Sequence, residues 1–356
     1  MVRLWFWLNL ILAAALTGAA PAPAASPPRI VAVGDLHGDH DAWQAIARAS
    51  GIMDSRGHWS GGSATLVQMG DIVDRGPQSL AIIRDLMRLQ HEAQRGGGRV
   101  IVLVGNHEGM MMIGDMRYVT AGELAVFTDR KSEQRRRQTY AKNQAAIEAA
   151  YRAKFPDMPA KAIREAWMAT MPPGKLEYQA AWSPEGELGS WELQNKAVVK
   201  LGGTLFVHGG ISASYAPISI QDINRRVAEA LKARDQSPTS IISDPHGPLW
   251  YRGLVTRSAS DETTVAPPPA SATEQALTID QEIDLVLRSQ GVKRIVVAHT
   301  PSLSGIVSNA GGKLWRIDSG NSRAYGGIPS YLEIVGDRVT AHSVQRPAGA
   351  SWGAKP

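Results

Sequence analysis

The chain has 356 residues, of which 44% are hydrophobic, so it can bury a sizeable core in one large α/β domain or two smaller ones. It contains no cysteine, which excludes disulfides, thiolate metal sites and an acylated lipoprotein cysteine. The net charge of +5 does not by itself indicate a nucleic-acid-binding protein, because the excess is concentrated in residues 129–137 (DRKSEQRRR). This run is typical of a solvated helix face, and contact with an anionic partner is the alternative.

Residues 1–24 have the pattern of a cleaved export signal. Arg3 precedes an apolar run from Leu4 to about Gly18, and the small residues at 22–24 suit a signal-peptidase site. An uncleaved membrane anchor is the alternative, but the run is shorter than the ~20 apolar residues that a spanning helix needs. We therefore expect a tether at residues 25–28 and a periplasmic or secreted protein without a stable membrane anchor after cleavage.

Strands and helices alternate from Arg29 onward, as in consecutive βαβ units. The patterns predict a strand that ends at Val33, followed by a helix at 41–50, a strand at 65–69, a helix at 78–94 and a strand at 100–104. Further along the chain they predict strands at 204–207 and 294–298, a helix that begins with a capping box at 278–281 and ends at Gly291, and hairpin turns at 309–312 and 336–337.

A segment at about 115–200 interrupts the strand series without ending it. It is rich in Ala, Arg, Gln and Trp and is predicted to be largely helical, for example at 141–154. We interpret it as a helical insertion in a single domain that spans 29–345, followed by a tail at 346–356, and we expect residues 259–275 to form a surface loop. The insertion is expected to govern substrate choice, because its arginines and three tryptophans (Trp167, Trp182, Trp191) offer cationic and aromatic surface. Simple packing against the scaffold is the alternative.

Polar side chains follow five predicted strands at the point where each strand ends. They are Asp35 and His37, Asp71, Asn106 and His107, His208, and His299. Because the carboxyl-end edges of the strands in an open α/β sheet face one crevice, we expect these seven side chains to converge. Any one of them alone is also explained as a turn former or a hydrogen-bonded buried histidine, but repetition at five strand ends favours a shared site.

These residue types suit a pair of divalent metal ions. A carboxylate can bridge two ions, while imidazole nitrogens and an amide oxygen complete each coordination shell. Two cations ~3.5–4 Å apart can hold the attacking and leaving oxygens of an in-line displacement. The pattern therefore predicts hydrolysis of a phosphate ester.

Five motifs together resemble the signature of the metallophosphoesterases, in particular the phosphoprotein phosphatase branch. They are GDLHG at 34–38, GDIVDRGP at 70–77, GNHE at 105–108, VHGG at 207–210 and AHTP at 298–301. Within that branch, LWYRG at 249–253, IDSG at 317–320 and YGG at 325–327 are most similar to the Shewanella-like protein phosphatases. The resemblance implies an α/β fold, the calcineurin-like metallophosphoesterase sandwich (α/β/β/α), here with a helical insertion.

The resemblance also implies a role for individual residues. Asp35 and His37 would bind the first ion, Asp71 would bridge both ions, and the second ion would be completed by Asn106, His208 and His299. His107 would be free of metal and act as the general acid that protonates the leaving oxygen, oriented by Asp74. The phosphoryl oxygens would be bound by Arg75 and Arg252. On the resemblance alone, Tyr325 is expected near the pocket.

Two further residue groups near these motifs have structural interpretations. We expect Glu108 to hold the GNHE turn by hydrogen bonds rather than to bind metal. The three methionines at 110–112 are most simply explained as core packing.

The expected protein is a phosphatase with two divalent ions (manganese, iron or zinc) that removes phosphate from phosphorylated protein side chains by in-line attack of a metal-bridging water. Its partners would be phosphorylated proteins or small phosphomonoesters, and no nucleic acid is expected. One alternative is a dinucleoside polyphosphate or phosphodiester hydrolase, since the metal ligands do not specify the ester. Another is a non-catalytic phosphate-binding docking protein, which loss of a ligand would favour, and no ligand is lost here.

Overall fold

The structure is a computed structural model that describes residues 28–257 and 277–346. The predicted export signal at 1–24, the loop at 259–275 and all but the first residue of the tail at 346–356 lie outside the described residues, so these assignments stay predictions.

Two five-stranded mixed sheets form the centre of the domain. The first has the spatial order β10-β9-β1-β2-β3, with β1 (Arg29–Val33), β2 (Thr65–Gln68), β3 (Arg99–Val102), β9 (Ser330–Val335) and β10 (Arg338–Ser343). The second has the order β4-β5-β6-β8-β7, with β4 (Val198–Leu201), β5 (Thr204–Val207), β6 (Arg294–Val297), β7 (Val307–Asn309) and β8 (Leu314–Arg316). In the first sheet β1, β2 and β3 are parallel, and in the second β5, β6 and β8 are parallel.

The central strands β1, β5 and β6 are apolar after their first residue because both of their faces are buried. In β1, Ile30 and Ala32 belong to a small cluster that also contains Phe206 of β5 and Val296 of β6, so this cluster fills the space between the two sheets. The alternate residues of β1 belong to a larger cluster with residues of the helices. This alternation follows from the two-residue period of a strand.

Helices cover the outer faces of both sheets. Those outside the insertion are α1 (His40–Ala49), α2 (Ser79–Arg95), α3 (Asn106–Ile113), α9 (Ile220–Ala233) and α10 (Ile279–Gln290). Buried apolar residues of α1, α2, α9 and α10 share the larger cluster with the strands. The resulting layers, helix on sheet on sheet on helix, confirm the α/β/β/α sandwich.

Five helices lie between α3 and β4, as expected of a helical insertion. They are α4 (Ala121–Ala125), α5 (Ser132–Lys154), α6 (Ala160–Thr170), α7 (Lys175–Ala181) and α8 (Glu187–Glu192). The strand β4, which begins at Val198 and pairs with β5, follows the insertion within two residues of its expected end at about 200. The expected aromatic surface is wrong at two positions, since Trp182 and Trp191 are buried.

The basic run on α5 is largely paired within the insertion. Arg135 binds Asp129 and Glu177, and Arg136 binds Glu133 and the carbonyl oxygen of Met168. These contacts favour the interpretation of this run as part of the scaffold.

Most of the predicted elements occur within one or two residues of their expected ends. The capping box at Thr278 and Gln281 and both hairpins are confirmed, as is the burial of the three methionines of α3. One boundary needs correction: Arg346, which was assigned to the tail, belongs to the domain. Its guanidinium lies 2.9 Å from Asp39 Oδ2 and also donates to the carbonyl oxygens of Asn321 and Gly327.

Among the described residues, no helix has the length and hydropathy required to cross a membrane.

The capping box of α10 provides a stability test. Thr278 Oγ1 accepts the backbone N–H of Gln281, and the Gln281 side chain accepts the N–H of Thr278. Thr278→Ala removes one of these bonds and should lower the free energy of unfolding by about 1 kcal/mol. Urea unfolding checks this value. Thr278→Ser keeps the hydroxyl and is the matched control, so an equal loss for both variants would contradict the capping role.

Candidate metal centre and active site

The seven predicted site residues do meet, but they come from two sheets rather than from one. The loops after β1, β2 and β3 of the first sheet and after β5 and β6 of the second carry Asp35, His37, Asp71, Asn106, His107, His208 and His299. Each of them is at most 4% exposed. The crevice is therefore the place where the carboxyl-end edges of two packed sheets adjoin, as the α/β/β/α sandwich implies.

Asp71 lies at the centre of this group. Its Oδ1 is 3.3 Å from His208 Nε2 and accepts the backbone N–H of His107. Its Oδ2 is 3.7 Å from His37 Nε2 and 3.8 Å from His107 Nε2. The two carboxylate oxygens thus face different histidines, which is the geometry that a bridging carboxylate requires.

Backbone carbonyls determine which ring nitrogen each histidine presents. His37 Nδ1 is 2.9 Å from the carbonyl oxygen of Val73, and His208 Nδ1 is 2.8 Å from that of Met69. A carbonyl oxygen can only accept, so Nδ1 carries the proton and donates, and Nε2 is left for a ligand. His299 Nε2 is buried and has no hydrogen-bond partner among the described residues.

The residues present fit a pair of divalent cations. The ligand atoms of His37, Asp71 and His107 lie within 4.8 Å of one another, and so do those of Asp71, His208 and His299. His208 Nε2 is also 2.9 Å from Asn106 Oδ1. When His208 carries its proton on Nδ1, both His208 Nε2 and Asn106 Oδ1 present lone pairs, which repel each other. A cation bound by both atoms would remove this repulsion. The donors are imidazole, carboxylate and amide, which suit borderline and hard divalent metals.

The charges of the site show the same need for a cation. Burial raises the pKa of Asp35 well above its usual range, and the carboxylates of Asp318 and Asp71 raise it further. Burial lowers the pKa of His37 to about 3 and that of His299 well below its ordinary value. The imidazoles of His37 and His299 are therefore neutral, as metal ligands must be. Burial opposes protonation of His208, but the Asp71 carboxylate outweighs it and raises the pKa of His208.

Glu108 holds the turn that carries Asp71, as predicted from the sequence. Its carboxylate accepts the backbone N–H groups of Asp71, Ile72 and Gly105 at 2.8, 2.8 and 3.0 Å. This fully buried side chain therefore satisfies the backbone of two neighbouring loops at once.

His107 and Asp74 form a second functional unit, which we call the His107–Asp74 pair. His107 Nδ1 lies 2.5 Å from Asp74 Oδ2, which fixes the orientation of the ring. Burial opposes protonation of His107, but the carboxylates of Asp71 and Asp74 outweigh it and raise the pKa of His107. The remaining nitrogen, Nε2, faces the ligand atoms. In geometry it suits both a metal ligand and a proton donor.

Two arginines stand at the site. The Arg75 guanidinium lies between the rings of Tyr118 and Tyr325, 4.6 and 5.2 Å from their centroids, and its buried Nε has no hydrogen-bond partner among the described residues. Arg252 is exposed, and its Nη1 donates to the carbonyl oxygen of His299 at 3.2 Å. Both cations are thus placed to receive an anionic ligand. Tyr325 lies near the pocket as expected, with its ring 5.3 Å from that of His37.

Three other residues of this region also belong to the site, although they were not predicted as site residues. Asp318 follows β8 just as Asp35 follows β1, and burial raises its pKa to about 6. The pattern of polar residues directly after strand ends also selects Asp318 as a candidate site residue. Tyr118 and Glu123 belong to the insertion, and nothing in their local sequence distinguishes them from other helical or loop residues.

Comparison with protein families shows which kind of protein carries this site. A family model described as calcineurin-like phosphoesterase matches residues 28–303. The chain belongs to this family. It is therefore a metallophosphoesterase, and the predicted enzyme class is confirmed.

Similar proteins confirm the predicted branch as well. The chain is 31% identical to Shewanella-like protein phosphatase 2 of Arabidopsis thaliana, over 87% of this chain and 76% of that protein. It is 27% identical to Shewanella-like protein phosphatase 1 of Plasmodium berghei, over 88% of this chain and 73% of that protein. The solved cold-active protein-tyrosine phosphatase of a psychrophilic Shewanella species has the same fold, with a TM-score of 0.61, 24% identity, and coverage of 90% of this chain and 81% of that one.

The central position of Asp71 leads to a prediction about metal content. Asp71→Asn should lose ions from both positions, because a neutral amide bridges two cations poorly, whereas Asp35→Asn should mainly weaken one. Elemental analysis of purified, metal-loaded protein measures the number of ions per chain. Two tightly bound ions and near-normal turnover in Asp71→Asn would contradict the assignment of the bridge.

Proposed function

We propose that this metallophosphoesterase removes phosphate from phosphorylated protein side chains, on tyrosine, serine or threonine, with two divalent metal ions. The observation that carries the proposal is that two groups of buried ligand atoms share Asp71, and that one of these groups includes His107, whose other ring nitrogen is held by the carboxylate of Asp74. Hydrolysis of a phosphomonoester requires positive charge at the phosphoryl oxygens and a proton for the leaving oxygen. The site contains candidate groups for both tasks.

The proposed ligands are the residues predicted from the sequence. Asp35, His37 and Asp71 would hold the first ion, and Asp71 would also hold the second together with Asn106, His208 and His299. When bound, the ions supply Lewis acidity to the phosphoryl group and lower the pKa of water. Because the proposed ligands include no thiolate, we propose manganese, iron or zinc as the metal.

The other side chains have separate roles in the proposed reaction. His107 donates a proton from Nε2 to the leaving oxygen, while Asp74 orients the ring and stabilises its charged form. Arg75 and Arg252 bind the phosphoryl oxygens. The stacking of Arg75 between Tyr118 and Tyr325 restricts its guanidinium before substrate arrives, which reduces the entropy that binding must remove.

The protein nature of the substrate is supported by the names of the relatives, two of which are called protein phosphatases. We expect metal-loaded enzyme to hydrolyse a phosphotyrosine peptide or a phosphoserine peptide faster than a dinucleoside polyphosphate, when all three are measured side by side. Preference for the dinucleoside polyphosphate would instead support a phosphoanhydride or phosphodiester hydrolase. Binding of a phosphopeptide without turnover of any of the three would support a docking protein.

The proposed acid role of His107 has a separate kinetic test. His107→Asn should retain both metal ions but lose roughly 10²–10⁴ in turnover of an alkyl phosphate, the range typical of general acid catalysis. The loss should be much smaller for a nitrophenyl phosphate, because its leaving group needs little protonation. Rates for the two esters, together with metal content, provide the measurement. An equal loss for both esters, or loss of an ion, would assign His107 to the metal instead.

A further inference from the structure

The turn that carries Asp74 has an unusual backbone. Asp74 and Arg75 are consecutive residues other than glycine with positive φ angles, 70° and 66°. Such a conformation is costly for a residue with a Cβ, and it persists only where surrounding contacts determine it. The contacts that hold this turn therefore also set the position of both side chains.

The insertion supplies acceptors for both N–H groups of this turn. The N–H of Asp74 donates to Glu123 Oε1 at 3.3 Å, and the N–H of Arg75 donates to the carbonyl oxygen of Tyr118 at 3.1 Å. Helix α4, which carries Glu123, packs directly on the same loop. A Cβ on Gly122 would lie only 2.7 Å from Pro77 Cβ, so glycine is required at this approach.

Glu123 is itself firmly fixed. The residue is 1% exposed, and its N–H donates to the hydroxyl of Thr120. The buried hydroxyl of Tyr178 lies 3.4 Å from Glu123 Oε1 and 3.0 Å from Met111 Sδ, so it shares its proton between the two acceptors. Tyr178 belongs to α7, so two helices of the insertion cooperate in placing this one carboxyl group. Burying an acid is unfavourable, and the side chain is retained here against that cost.

We propose that Glu123 is a positioning residue of the active site, which acts through the His107–Asp74 pair. By accepting the N–H of Asp74, Glu123 stabilises the left-handed conformation that brings Asp74 Oδ2 to His107 Nδ1, and thereby aims His107 Nε2 at the leaving oxygen. The insertion thus contributes to the chemical step and not only to the choice of substrate. This inference rests on the proposed acid role of His107.

The test compares two substitutions of Glu123. Glu123→Leu removes the acceptor but fills similar volume without a buried acid, so it should fold, which thermal unfolding checks. It should retain both metal ions and lose roughly 10–100-fold in kcat for an alkyl phosphate, because a misplaced acid should lose less than the roughly 10²–10⁴-fold that removal of the acid costs. The change for a nitrophenyl phosphate should be about threefold or less, since that ester bypasses the acid. Glu123→Gln keeps an acceptor oxygen and should restore most of the lost rate.

Glu192 offers the matched control, because it is a second fully buried carboxyl of the insertion but accepts from Asn195 instead. Glu192→Leu should leave the ratio of the two ester rates unchanged. Equal losses for both esters in Glu123→Leu, or no loss in either, would overturn the positioning role.

A double variant separates this inference from the proposed function. If His107 is the acid and Glu123 acts through it, adding Glu123→Leu to His107→Asn should cause little further loss. If His107→Asn shows no dependence on the leaving group, the acid role fails first. If His107→Asn shows that dependence and Glu123→Leu does not, only the role of Glu123 is refuted.

Discussion

The arrangement of this protein depends on one buried carboxylate, that of Asp71. Its two oxygens face histidines delivered by different sheets, His37 and His107 from the first and His208 from the second. A charge at this depth is unfavourable unless it is paired, so the surrounding structure must compensate for it. The ring nitrogens and N–H groups around Asp71 do so in part, and a pair of cations would do so fully. The packing of the two sheets brings the histidines and Asp71 together. The site in turn explains why polar residues follow the strands at the same end of both sheets.

Holding these groups requires strained backbone. His37, Asp71, Asp74 and His299 all have positive φ angles, a conformation that costs of order 1–3 kcal/mol for each such residue. Glu108 offsets part of this cost by accepting three N–H groups from the loops after β2 and β3. Glycine is needed at position 105 for a different reason, because a Cβ there would clash with the Asp71 carboxylate and with the backbone nitrogen of Asp71. Strain and its compensation are therefore concentrated in the loops that carry the ligands.

The composition of the insertion predicts a cationic and aromatic surface beside the site, but the insertion contacts the site through other residues. Its basic run is largely paired internally, and Trp182 and Trp191 pack in the core, so its most conspicuous residues are structural. The residues that reach the site are Tyr118, which stacks on Arg75, and Glu123, which binds the backbone of Asp74. In the proposed mechanism, the insertion therefore influences both the arginine that binds phosphate and the orientation of the general acid.

The sequence by itself determined the candidate ligands, because the end of a strand is a local pattern and polar groups recur there at five places. It also determined the capping box of α10 and the turns of two hairpins, which depend on residues close in the chain. The motifs implied the two-sheet sandwich, but local patterns could not assign each candidate ligand to one of the two sheets, since an apolar strand looks the same whether a helix or a second sheet covers it. Only the tertiary structure decided the contacts of Glu123, Tyr118 and Arg346, because their partners are distant in sequence. The residues next to a carboxyl, ring or guanidinium group in the chain do not indicate which distant residue it will contact.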